Sequence, residues 1–249
     1  MRRSYFKEAK ISLWILSFIL FISIMFYLVA TMFTSMGYRG KSKEALTLDE
    51  SKDEIVIVLD AGHGGEDPGA TDNGLVEKDL NLDVTLRINS MLLNSGYKTV
   101  LTRREDVLLY RAGEESKKKY YDLRNRAEIA EAYPNAVFVS IHMNKFPIDY
   151  CKGLQTFYTK NNSESEILAE AIQESVKLLQ TENKREIKDS EDTIYLLSYL
   201  KSPSVLVECG FISNSEEAQK LSDEKYRDLL AFNIYCGIAK YLEEHQYEN

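Results

Sequence analysis

The longest apolar run comes first. No charged residue stands between Lys10 and Arg39, and Ile11 to Phe33 is apolar on all sides rather than along one stripe, longer than the about 20 residues that cross a bilayer as a helix. The run predicts a membrane-spanning helix over 11–33. Arg2, Arg3, Lys7 and Lys10 make 1–10 a basic leading region, which holds the N-terminus in the cytoplasm and sends the rest of the chain across. A cleaved secretory signal is the rival reading. Ser35-Met36-Gly37 offers a small-x-small site, but signal cores run about 7–15 residues, so the length favours an uncleaved anchor. Residues 34–54 are polar, charged and aperiodic, as in a tether.

From residue 55 the pattern changes. Ile55 to Leu59 is a continuous apolar, mostly β-branched run that ends in a glycine-rich stretch, which predicts a strand buried on both faces. Leu80, Val84, Ile88, Met91 and Leu92 then recur at helical spacing from Glu77 until Gly96 stops the helix. The theme repeats, with strands predicted over Lys98 to Thr102, Ala136 to Ile141, Gly153 to Tyr158 and Ser204 to Val207. Helices are predicted over Leu123 to Ala132, Ile167 to Leu179 and Tyr226 to Leu242, and the charged stretch Arg111 to Tyr121 reads as a solvated loop. Such alternation predicts one α/β domain over 55–245, a twisted, mainly parallel sheet with helices on both faces. There is no internal repeat and no second, wall-gripping module.

Composition narrows the partners. The chain has 249 residues and a formal charge of −8, which repels phosphate backbones and argues against nucleic acid. Cys151, Cys209 and Cys236 are odd in number and lack a CxxC spacing, so they read as small buried hydrophobes rather than as a disulfide framework.

In an open parallel sheet, ligands gather outside the carboxyl ends of the strands. His63 follows the first strand, His142 the strand that ends at Ile141, and Glu208 the strand that ends at Val207, while Glu77 opens the first helix. Of three histidines, two stand on this edge and His245 lies in the C-terminal tail. Two imidazoles and a carboxylate leave zinc an open fourth position, as in catalytic sites. Such an ion acidifies a water towards neutral pH and polarises the carbonyl under attack. Glu77 suits a ligand because a helix N-terminus favours its ionised form. Glu208, on another strand of the same edge, supplies the carboxylate that moves protons. Singly, each has a plain structural alternative: core histidines, a helix-dipole acid, an acid paired with Arg103 or Arg126. Jointly they point to chemistry, because an acid directly after three apolar strand residues is costly to bury without a task.

Four motifs carry a resemblance: Leu59-Asp60-Ala61-Gly62-His63-Gly64-Gly65 with Asp67-Pro68-Gly69-Ala70, then Glu77-Lys78-Asp79-Leu80-Asn81-Leu82, Ser140-Ile141-His142-Met143-Asn144, and Val207-Glu208-Cys209-Gly210-Phe211-Ile212-Ser213-Asn214. From about Ile55 to Leu242 the chain resembles the zinc-dependent N-acetylmuramoyl-L-alanine amidases of the amidase-3 type. The resemblance implies zinc ligands His63, Glu77 and His142, a catalytic Glu208, and Zn2+ as cofactor. Thr102-Arg103 with Asp106, Arg126, and Gly153 leading to Tyr158 are supporting matches. The chain departs from the family pattern at Arg185-Glu186-Ile187-Lys188, where a glycine commonly follows the arginine, at Glu131 in place of an asparagine, and at Cys209. With both histidines claimed by a metal, Cys209 has no base to make it a nucleophile.

One amidase domain on an anchor looks most like the CwlD-type amidases of spore formers. That likeness implies an extracytoplasmic enzyme that strips stem peptides from muramic acid so that cortex muramic-δ-lactam forms, in sporulation and germination. Peptidoglycan is then the substrate and the membrane is met through the N-terminal anchor; with no wall-binding module seen, something besides the tether must place the site on its substrate, so an accessory extracytoplasmic protein is worth expecting. Two other readings remain open: another zinc hydrolase on this scaffold, a carboxypeptidase or deacetylase, and a non-catalytic wall-binding or regulatory protein. A carboxypeptidase needs a basic residue to hold the terminal carboxylate, for which Arg103 and Arg126 are candidates.

Overall fold

The β-branched runs form the buried centre of one sheet. In the computed structural model, residues 55–246 are described together with the single residue Met25, and side chains only as far as 244. The chain divides between Ser51 and Lys52. The expected leading region, anchor and tether, and the side chain of His245, lie outside the described residues. No helix among the described residues is long and apolar enough to cross a membrane.

The strands are β1 (Val56–Ala61), β2 (Thr71–Asp72), β3 (Leu75–Val76), β4 (Lys98–Leu101), β5 (Ala136–Asn144), β6 (Gln155–Tyr158), β7 (Lys188–Asp189) and β8 (Ser204–Phe211). The helices are α1 (Glu77–Asn94), α2 (Lys118–Glu131), α3 (Ser163–Lys177), α4 (Tyr195–Tyr199), α5 (Ser215–Ser222) and α6 (Glu224–Gln246). Six strands form one sheet in the order β4-β1-β5-β8-β6-β7, and β2 and β3 form a separate hairpin. The pairs of β1 with β4 and β5, and of β5 with β8, are parallel; β6 runs antiparallel to β8. This is the mainly parallel α/β sheet that the alternation of elements implies.

Alternate residues on each strand serve two different cores. Ile57, Leu59, Val139, Ile141, Val205 and Val207 pack with residues of α1, α3 and α6. Val56, Val58 and Phe138 pack with Ala127 and Ala130 of α2, Leu196 of α4 and Leu200 just after it. Helix ends follow local chemistry: Asn162 and Asn214 accept backbone hydrogens from Glu164 and Glu217 at the starts of α3 and α5, each such cap being worth about 1 kcal/mol.

Two expectations need correction, and several short elements had no counterpart among the expectations. β5 and β8 do not end before His142 and Glu208 but carry both residues within the paired strands, where they lie opposite each other. The Arg111 to Tyr121 stretch is only partly a loop, since a 3-10 turn (Glu115–Lys117) leads straight into α2. The β2–β3 hairpin escaped notice although its turn residues, Asn73 and Gly74, both adopt positive φ, as a tight two-residue turn demands. Short α4, α5 and the edge strand β7 were also unforeseen.

Candidate metal centre

β1 delivers the chain to Gly62 and His63. His63 adopts φ 61°, uncommon for a residue with a Cβ and found where a surrounding network over-determines the backbone. That network is visible. The Arg103 guanidinium donates to the carbonyls of Ala61, Gly62 and Lys78 at 2.8–3.1 Å. Arg126 donates to the carbonyls of Ala61 at 2.7 Å and His63 at 2.8 Å, and pairs with Asp60 at 2.7 Å and Asp122 at 2.9 Å. Asp60 also accepts from Thr102 and Ser140. Burial would raise the Asp60 pKa, but the charge of Arg126 and the two hydroxyl bonds outweigh it and hold the carboxyl below the ordinary range.

Neither arginine is left over. Arg103 and Arg126 are 3% and 1% exposed and spend their hydrogens on the loop that presents His63. Arg126 pairs with the internal acids Asp60 and Asp122, and neither arginine pairs with Glu208.

Glu77 opens α1 and sits between the two imidazoles. Its Oε1 is 3.2 Å from His63 Nε2 and 2.9 Å from His142 Nδ1, and the ligand atoms of the three residues all lie within 4.8 Å of one another. The carboxylate is fixed by the N–H groups of Ala70 at 2.7 Å and Met143 at 3.2 Å. Burial opposes its ionisation, yet hydrogen bonds and charge from His142 and then His63 prevail, and the pKa falls well below the usual carboxylate range. Burial likewise disfavours a charged His63, but Glu77 and then Asp67 outweigh it and raise its pKa. An ionised carboxylate facing two imidazole nitrogens is the donor set a zinc ion takes.

The cradle is shaped for close contact. A Cβ on Gly62 would stand 2.2 Å from the His142 ring, and one on Gly69, whose φ is 66°, would stand 2.5 Å from Glu77 Oε2 and 2.7 Å from His63 Cδ2. Only glycine admits the loop this near to the donor atoms.

Sequence reading passed over two supporting residues. Asp67, whose carboxyl is held ionised, accepts from His63 Nδ1–H at 2.9 Å and is itself held by the Gly69 N–H. It thereby turns His63 Nε2 towards Glu77, the carboxylate–histidine arrangement that orients metal ligands. Asn81, one turn beyond Glu77, bonds the Gly62 carbonyl at 3.0 Å. Both are visible in the sequence only as letters of the motifs that carry His63 and Glu77.

Glu208 stands directly across the β5–β8 ladder from His142. Its Oε2 is buried and has no hydrogen-bond partner. Desolvation pushes its pKa up to about 7; His142 lowers it, Glu77 raises it and His63 lowers it, all to a smaller extent. A carboxyl poised near neutrality can both take and return a proton. Cys209, next in sequence, is fully buried in the core on the opposite face, and burial raises its thiol pKa further, so it is no nucleophile.

The family departures fall on tolerant ground. Glu131 is exposed at the end of α2. Glu186 has no positive φ, so its loop does not require the glycine.

Residues 57–240 match the family described as N-acetylmuramoyl-L-alanine amidase. The germination-specific N-acetylmuramoyl-L-alanine amidase of Bacillus subtilis (strain 168) is 36% identical over 191 residues, 76% of this chain and 80% of that relative. The CwlD amidase of Clostridioides difficile, solved in complex with the GerS lipoprotein, superimposes with a TM-score of 0.72 at 42% identity, covering 76% of this chain and 98% of that one. The catalytic domain of CwlV, an N-acetylmuramoyl-L-alanine amidase from Bacillus (Paenibacillus) polymyxa var. colistinus, gives 0.66 at 31% identity over 76% and 98%.

Proposed function

The chain belongs to the N-acetylmuramoyl-L-alanine amidase family and is a peptidoglycan amidase of the CwlD type, and from that premise we propose that His63, Glu77 and His142 hold a zinc ion while Glu208 moves the protons of the hydrolysis. The bond cut is the amide between the lactyl group of N-acetylmuramic acid and L-alanine of the stem peptide. One observation carries the assignment of roles: three ligand atoms lie within 4.8 Å of one another, and an acid with an unpartnered, buried oxygen stands beside them.

Bound there, zinc would supply a Lewis acid for the carbonyl and acidify a water towards neutral pH. The protein does the rest. Asp67 orients His63, and the N–H groups of Ala70 and Met143 orient Glu77. Glu208 takes the proton of the attacking water and returns it to the departing alanine nitrogen. Since Arg103 and Arg126 are buried and engaged with backbone carbonyls, neither can hold the terminal carboxylate that a carboxypeptidase must recognise.

The wider setting follows the same lines. Residues 11–33 anchor the enzyme in the cytoplasmic membrane, 34–54 tether it, and the domain over 55–245 works on the extracytoplasmic side. An accessory protein assists it there, as suggested by the CwlD amidase solved with the GerS lipoprotein. The physiological product is stem-stripped muramic acid on the way to cortex muramic-δ-lactam. The test is to incubate the protein, with and without zinc, on purified peptidoglycan and identify the fragments by mass. Expected are glycan with free lactyl carboxylates and peptides with a new L-alanine amino terminus. Released acetate would instead indicate a deacetylase, a released C-terminal amino acid a carboxypeptidase, and no release a binding protein.

A further inference from the structure

The sheet face that carries Glu208 continues beyond the site. Across the antiparallel β8–β6 pair, Gln155 lies beside Glu208 and Phe157 beside Leu206, and β7 then sets Lys188 beside Phe157. Thr156 and Tyr158 are buried, so strand alternation turns Gln155 and Phe157 to the face of Glu208. The helices α2 and α4 pack on this face against β1 and β5. Over β6 and β7 it is open, with Gln155 and Phe157 half-buried and Lys188 exposed.

The acids beside Lys188 in sequence are already paired. Asp189 is taken by Lys160 at 3.0 Å and Glu186 by Lys177 at 3.2 Å. Lys188 instead lies over the Phe157 ring, 5.7 Å from its centroid, and meets no carboxylate within 4 Å among the described residues. Gln155 is pinned between them, accepting from Arg185 Nη1 and donating to the Glu186 carbonyl, both at 2.9 Å. Two strand spacings of about 4.8 Å and one two-residue step of about 6.6 Å put Lys188 roughly 12 Å from Glu208 between Cα atoms. Three extended residues at about 3.5 Å each span nearly that distance.

We propose that this shelf is the subsite for the stem peptide, with Lys188 pairing a free carboxylate on the second or third residue beyond the cut and Phe157 supporting the chain between. The proposal rests on the amidase reading and names which part of the substrate the open face takes. A chain of formal charge −8 repels an acidic peptide unless a local cation receives it; Lys188, exposed and with its neighbouring acids already paired, offers one, while the half-buried Arg185 is held by Gln155 and the Lys152 carbonyl.

The test uses the full-length chain and soluble stem tripeptides with both carboxylates free, with only the second residue amidated, or with only the third amidated. Affinities are measured for wild type, Lys188→Gln and Lys188→Arg, and kcat and KM for the same peptides carried on muramic acid. Losing one charge-assisted bond at a half-open site is worth about tenfold. Lys188→Gln should therefore bind the free peptide about tenfold more weakly, raise KM to the same extent and leave kcat unchanged, while Lys188→Arg binds as wild type does. Amidating the contacted residue should abolish the difference between wild type and Lys188→Gln, and so identify which carboxylate is held. An equal loss for all peptides, or no loss for any, overturns the proposal. Binding is read without turnover, so peptide binding that depends on Lys188 with no new L-alanine terminus would fail the amidase reading alone, and turnover indifferent to Lys188 would fail the subsite alone.

Discussion

Replacing Glu208 by glutamine separates what this acid costs from what it does. In metal-stripped protein, burial pushes the Glu208 pKa from the ordinary 4.5 to about 7. At about 1.4 kcal/mol per pH unit, that displacement corresponds to about 3 kcal/mol. The sign follows from proton counting: between about 4.5 and 7 the folded state holds a proton that the unfolded state has released, so stability falls as pH rises through this window and levels off above it. Glu208→Gln has no proton to lose there. For a domain of this size, where 1 kcal/mol moves Tm by about 2–4 °C, wild type should lose roughly 6–12 °C more than Glu208→Gln between pH 5 and pH 8. The assay is thermal unfolding of both chains in chelator across that range; other titrating groups are common to both and cancel to first order. The same variant, loaded with zinc, should keep its metal and lose about 100-fold or more in turnover. Parallel pH profiles for the two chains would refute the view of Glu208 as a half-buried acid with a desolvated, unpartnered Oε2, and equal loss of zinc in Glu208→Gln and Glu77→Gln would refute its role as the proton carrier.

Chelation should abolish activity and zinc restore it, with His63→Ala or His142→Ala losing metal and activity together; metal analysis beside the product assay checks this, and full activity without metal would sink the zinc mechanism. Asp67→Asn should weaken zinc binding by about 10–100-fold, the usual effect of removing the group that orients a ligand histidine, with activity recovered at high zinc; unchanged affinity in a competition titration would show that His63 needs no such support. A reporter fused after Asn249 should be extracytoplasmic with the full-length protein in the membrane fraction, whereas a mature chain beginning near Tyr38 would show a cleaved signal.

What the sequence made legible, and what it hid, follows from how much of each strand the helices cover. Where both faces are covered, as for Val56 to Ala61, a strand is a continuous apolar run and its position is plain. Towards the carboxyl edge one face is left open. There β5 reads His142, Met143, Asn144, with Met143 buried and its neighbours half-buried, and the apolar run appears to stop while the ladder goes on. For this reason the apolar pattern ends each strand one residue before His142 and Glu208, although both residues carry the candidate chemistry. The change of pattern marks the place where the sheet begins to serve the site. The remaining omissions have the same origin in local sparsity: α4 offers barely more than one turn of periodicity, and β7 has two residues. Asp67 and Asn81 were legible only as motif letters, because their roles depend on a loop bent at His63 and Gly69 whose path no periodicity encodes. The arginines were ambiguous for a different reason. A guanidinium that clamps a backbone and one that awaits a substrate carboxylate are the same letter, and only burial tells them apart: Arg126 at 1% exposure belongs to the scaffold, whereas Lys188, exposed on an open face beside a ring, remains free to meet a ligand.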